Sequence, residues 1–105
     1  KPDKPFNIQF VSYSEDRGPV YYITYDGQYI RPYTNKDGGQ LLTDNIQYLW
    51  RINKYTKFCT IRDYNNQKLM VNASGAKYDN GTKVTIWSYT GSAPEHAKIT
   101  FIKAD

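Results

Sequence analysis

The side chains able to act on a substrate are few. His96 is the one histidine and Cys59 the one cysteine among 105 residues. A serine or cysteine nucleophile needs a base held against it. No Gly-x-Ser-x-Gly elbow and no cysteine signature accompanies His96. One histidine and one cysteine cannot fill a tetrahedral metal shell, and the acidic residues lack the spacing of a calcium loop. Glu15 and Asp16 lie in a loop marked by Gly18 and Pro19, where solvation accounts for both carboxylates. Asp37-Gly38-Gly39 reads as a turn, not a phosphate cradle. The expectation is a protein that is not an enzyme, with no metal site and no cofactor. The remaining chemistry is aromatic: eleven Tyr and two Trp.

Two of those aromatics stand in the stretch around which the chain is organised. Asn66-Gln67-Lys68-Leu69-Met70-Val71-Asn72 reads as a turn and a short strand. Asp79-Asn80-Gly81-Thr82 reads as a reversal, since Asn-Gly takes positive φ at little cost. Val84 to Tyr89 then alternates with the period of two of a half-buried strand. Val84 and Ile86 take one face, and Thr85, Trp87 and Tyr89 the other. Trp87 and Tyr89 therefore share a face.

The elements that must position them are strands. Aromatic and β-branched residues fit a pleated surface, and no segment has the periodicity of an amphipathic helix. Phe6 to Val11 is a first strand. Val20 to Thr24 and Gln28 to Arg31 form a hairpin about Asp26-Gly27, and Pro32 ends the second of them because it cannot donate to a ladder. Gln40 to Thr43, Tyr48 to Ile52 and Lys57 to Arg62 follow, with Cys59 read as a buried small apolar residue. Lys98 to Ile102 repeats the pattern of the first strand. Tyr21 to Ile30 lines up with Cys59 to Leu69 if one residue is inserted in the second turn. An internal repeat follows: four short strands written twice and a third unit begun. Such units bury a face only by closing into a barrel or stacking radially.

Leu49-Trp50-Arg51-Ile52, Asn66-Gln67-Lys68-Leu69-Met70-Val71 and Asn80-Gly81-Thr82-Lys83-Val84-Thr85-Ile86-Trp87 resemble the repeat of ricin B-type β-trefoil lectins. The resemblance is close over residues 49–102 and loose over 6–48. It implies an all-β fold, a β-trefoil of four-strand units. With about two and a fraction of its three units in this chain, the trefoil is incomplete, degenerate in one unit, or completed by a partner chain. The implied organisation is a linker or trimmed end over 1–5, then a trefoil domain over 6–105, with units 6–48, 49–97 and 98–105. Trp50 opens a unit and belongs to the core.

The resemblance also implies a glycan partner. A pyranose ring stacks its C–H face on an aromatic ring and needs fixed partners for its hydroxyls. The family's aromatic falls on Trp87, with Tyr89, Asn72 and His96 as polar neighbours. Its aspartate falls on Met70 in the second unit and Arg31 in the first. Met70 cannot accept from sugar hydroxyls, so the usual galactose pocket is impaired or built differently. The plainer readings are that Trp87 covers a loop and that His96 is a solvated loop residue. Asn72-Ala73-Ser74 and Asn80-Gly81-Thr82 match the glycosylation pattern, which matters only in a eukaryotic secretory setting.

Length and charge bound these readings. The chain is long enough for one domain with its own core. The net charge of +4 is spread over single residues with no basic run, which argues against a nucleic-acid partner. No apolar stretch approaches the ~20 residues of a membrane span, so membrane insertion is not expected. No charged-then-apolar leader begins the chain, and the expected setting is a mature secreted protein. Two function classes remain. One is a carbohydrate-binding module of a secreted protein or toxin. The other is a protein-binding trefoil, such as a protease inhibitor or toxin assembly subunit, with decayed sugar sites.

Overall fold

The computed structural model describes residues 4–76 and 83–102. The Asn80-Gly81 turn, the acceptor triplet that contains it, and residues 1–3 and 103–105 of the terminal segments lie outside the described residues. The fold is all-β. Its strands are β1 (Phe6–Ser14), β2 (Gly18–Tyr25), β3 (Gln28–Pro32), β4 (Leu41–Asp44), β5 (Trp50–Lys54), β6 (Cys59–Asp63), β7 (Leu69–Ala73) and β8 (Val84–Ser88). Helix among the described residues is limited to two short 3-10 turns, Ser74–Ala76 and Glu95–Ala97.

Local chemistry sets the connections. Asp26 and Gly27 both take positive φ, 53° and 78°, and Tyr25 pairs with Gln28. This two-residue reversal suits the right-handed twist of its strands. Gly18, at φ 77°, closes the turn from β1, where Ser14 pairs with Gly18.

One antiparallel path runs β4-β3-β2-β5-β6-β7-β8, with β1 added against β2. The two ends of the path meet where Gln40, next to β4, bridges Thr85 of β8, so the sheet is nearly closed like a barrel. Inside are Ile23, Ile30, Trp50, Ile52, Ile61, Leu69, Val71 and Ile86. Trp50 is fully buried, and its indole Nε1 donates to the Ile30 carbonyl at 2.9 Å. The expected alternation of β8 holds for Ile86, which is buried, but Val84 at the strand's start is 42% exposed. Thr85 is buried instead, because the segment entering β4 lies against it.

The repeat is visible in the pairing itself. Trp50 opens the fifth strand opposite Tyr21, and Ile99 sits opposite Cys59, the residue that aligns with Tyr21. Cys59 and Ile99 exchange both backbone bonds, at 2.6 and 2.8 Å. The expected strand over Lys98 to Ile102 is nevertheless one bridge long. Phe101 and Ile102 beyond it are exposed, because an opening strand is held by two neighbours and Ile99 has only β6 among the described residues. Cys59 is half-buried against the core edge, less enclosed than expected.

Arg31 and Asp44 lock β3 to β4. The Arg31 Nε donates to Asp44 Oδ2 at 2.8 Å and Nη2 to the same oxygen at 2.6 Å. The Ile46 N–H adds a bond of 3.0 Å to Oδ1. The guanidinium first, and then this amide, hold the Asp44 carboxyl below its ordinary range. An aspartate in the unfolded chain titrates at ~3.9. The pair's contribution is therefore complete above that value and is lost as pH falls through the lower folded value. Urea midpoints measured through the acid range should fall less steeply for Asp44→Asn than for the parent. Equal slopes would mean that this carboxylate does not contribute to acid sensitivity.

Candidate functional site

A cleft of about 330 Å³ opens on the outer face of β7 and β8, where the segment before β4 and the turn Glu95–Ala97 converge on them. Trp87, Tyr89, Asn72 and His96 all line it, together with Gly38 and Thr85. All four residues expected from the sequence are thus brought together. The face-sharing of Thr85, Trp87 and Tyr89 is what places β8 in one wall.

Trp87 is the exposed ring of the site, at 47% of its surface. It is nevertheless propped. A Cβ built on Gly38 would lie 3.3 Å from the indole's six-membered ring, and Gly38 has φ +84°. Glycine is required here on two counts, since a side chain would both strain the backbone and displace the ring. Gly39 next to it is tighter still, because a Cβ there would fall 2.1 Å from the Thr34 carbonyl oxygen. Backbone bonds fix this segment to β8. The Gly38 N–H donates to Ile86 O at 2.8 Å, the Ile86 N–H to Gly39 O at 2.9 Å, and the Ser88 N–H to Asp37 Oδ1 at 2.6 Å.

Asn72 forms part of the floor, not a free arm. It is buried, and its amide nitrogen donates to Met70 O at 3.1 Å and Thr85 O at 3.2 Å. The Thr85 hydroxyl donates to Asn72 Oδ1 at 3.4 Å, so donors and acceptor are already engaged within the protein. Met70 is opposite Trp87 in the ladder and fully buried. The position where the resembled family keeps its aspartate is therefore apolar and closed to a ligand.

Two further polar side chains of the cleft, Tyr89 and His96, meet each other. The Tyr89 hydroxyl lies 2.7 Å from His96 Nε2, with the rings edge to face at 5.7 Å. His96 is half-buried on the Glu95–Ala97 turn, not the solvated loop residue of the plainer reading. Burial pushes the Tyr89 phenol above its ordinary value, and the Asp37 carboxylate adds to the effect. Tyr89 therefore stays neutral at physiological pH, a hydroxyl able both to donate and to accept.

Sequence reasoning did not find Gly38 or Thr85. The signal for Gly38 was its place in a Gly-Gly pair, but its contact with Trp87 spans the whole fold. Among the described residues, no group of three or more His, Cys, Asp or Glu is arranged to hold a metal ion. No helix among the described residues is long and apolar enough to cross a membrane. Family models, curated proteins and solved structures were all compared with the chain, and none matches.

Proposed function

We propose that this protein is a glycan-binding module of the ricin B-type β-trefoil kind, part of a secreted protein or toxin, with the Trp87 cleft as its sugar site. The observation that carries the reading is the character of the lining. An exposed indole stands beside hydroxyl, amide and imidazole groups, and no lining residue among those described is a carboxylate, ammonium or guanidinium. An apolar plate edged by hydroxyl and imidazole groups suits a pyranose, which offers a C–H face and a rim of hydroxyls. The β-trefoil reading is supported by two runs of four strands and by the equivalent pairings of Trp50 with Tyr21 and Ile99 with Cys59. In this reading Tyr89 and His96 take the hydrogen-bonding role that Met70 cannot.

The buried Met70 favours one second reading, a protein-binding trefoil whose sugar site has decayed. A glycan array probed with the intact chain separates the two. Neutral hexose-bearing glycans should bind and be displaced by the free sugar. A chain that binds no glycan yet retains a protein from secreted medium, with free sugar present, would support the second reading.

A further inference from the structure

Unmatched charge gathers away from the cleft, on β5 and β6. Arg51 and Arg62 stand directly opposite each other in the ladder. Residues so opposed share a face, with Cβ atoms about 4.5–5.5 Å apart, and like charges in that position repel. Arginine cannot shed its proton to escape. Both side chains are half-buried. The ion pairs among the described residues join Lys4 to Asp26, Arg17 to Asp16, Arg31 to Asp44 and Lys98 to Glu95. Two cations are thus held side by side with no described carboxylate against either.

One residue of the turn between β6 and β7 braces both. Arg51 Nη1 donates to the Gln67 side-chain oxygen at 2.7 Å, and Arg62 Nη1 to the Gln67 carbonyl at 2.9 Å. These bonds use one nitrogen of each fork. The Nε of each is buried and has no acceptor, and a buried donor in that state calls for a water or an ion as its partner. The Nη2 of each also lacks an acceptor among the described residues but is not enclosed, so an incoming oxygen meets it first. The walls belong to this chain. A Cβ built on Gly18 would lie 3.7 Å from Arg51 Nε. Arg17 adds a third guanidinium, 4.7 Å over the Tyr64 ring and donating to the Tyr64 carbonyl at 3.0 Å, the oxygen that also accepts from Gln67 Nε2. The turn's own carboxylate, Asp63, is fully buried and committed to the Tyr48 hydroxyl and the N–H groups of Asn65 and Asn66.

We propose that Arg51 and Arg62 form a binding site for a doubly charged oxyanion, a sulfate or phosphate group, seated across the opposed guanidiniums with Gln67 as their common brace. Such a group supplies what the pair lacks. Its oxygens, spread in a tetrahedron, accept from both forks at once, and its two negative charges match the two positive ones. A carboxylate would offer one charge for two. The net charge of +4 favours the approach of an anion. Neither arginine lines the Trp87 cleft, and this inference is independent of the glycan reading.

Thermal unfolding of the intact chain in millimolar sodium sulfate, sodium phosphate or sodium chloride, at equal ionic strength, tests the site. A ligand of the folded state raises the midpoint with its concentration, and millimolar sulfate is too dilute to stabilise by exclusion from the surface. Sulfate or phosphate should protect where chloride does not. The anion that protects at the lower concentration identifies the source, a sulfate ester or a phosphate ester. Arg51→Gln and Arg62→Gln should each weaken that anion at least about tenfold, and Arg62→Lys, which keeps the charge but loses the fork, should weaken it too. Lys4→Gln removes a charge held by Asp26 beyond the other end of β2 and should leave protection unchanged. Chloride protecting as well as the other two anions, or Arg51→Gln and Arg62→Gln protected like the parent, would overturn the proposal. Should the arginine variants fail to fold, the parent's own Nε–H resonances keep the test open. Those of Arg51 and Arg62 should move with sulfate or phosphate and not with chloride, and resonances that stay in place with all three contradict the site.

Discussion

Replacing Trp50 by alanine is expected to cost about 3–5 kcal/mol of folding free energy, the range for deleting a buried aromatic side chain. The ring is fully enclosed, packs on Tyr48 with centroids 5.3 Å apart, and donates to the Ile30 carbonyl. Alanine leaves both a cavity at the junction of β2, β5 and β6 and an unpaired carbonyl oxygen. Against a total stability of about 5–15 kcal/mol for a natural domain, the variant should be largely unfolded at mild urea concentrations. Trp50→Phe fills most of the space but still orphans the carbonyl, and its cost should lie nearer 1–3 kcal/mol. Urea unfolding followed by circular dichroism measures both. A loss below about 1 kcal/mol for Trp50→Ala would put it among ordinary surface substitutions, which is incompatible with a central position.

The other tryptophan should behave in the opposite way. Trp87→Ala is expected to weaken binding of the strongest array glycan by about 1–3 kcal/mol, the scale of a hot-spot aromatic, or roughly five- to 150-fold. Its thermal midpoint should stay close to the parent's, because half of the ring already faces solvent. Arg31→Ala is the control. Arg31 occupies the position of the family aspartate in the first unit, is committed to Asp44, and does not line the cleft. Isothermal titration of the two variants should show the loss at Trp87 alone. The site has been placed in the wrong unit if Trp87→Ala binds like the parent while Arg31→Ala fails.

What could be read from the sequence is what is local. Alternation marked the strands, because period two is a property of the strand itself, and the place of Trp50 at the opening of its unit put it in the core, where it is fully buried. Asp26-Gly27 announced its turn through the φ angles its residue types allow. Burial depends on partners far along the chain, and there the reading fell short. Thr85 is covered because Gln40 bridges to it, and Val84 is uncovered for want of an equivalent neighbour among the described residues. Lys98 to Ile102 has the pattern of a strand but makes one bridge. Asn72 lines the cleft, but nothing local reveals that it bonds to Met70 and Thr85. The pairing of Tyr89 with His96 was likewise hidden, since it depends on how the Glu95–Ala97 turn packs against β7.

The seam between the segment before β4 and β8 also bears on the order in which the molecule assembles. Hairpins such as β2–β3 and β5–β6 join residues close in sequence and can form early. The Asp37–Ser88 bond joins residues 51 positions apart, and loop-closure entropy must be met before such a contact returns anything. The Trp87 cleft is therefore a late product of folding, complete only when the seam shuts. Contacts formed after the rate-limiting step govern how fast a protein comes apart, not how fast it forms. A ligand in the cleft, which Gly38 and Trp87 both line, would touch both sides of that seam and act as a brake on unfolding, lengthening the life of the folded chain without hastening its arrival.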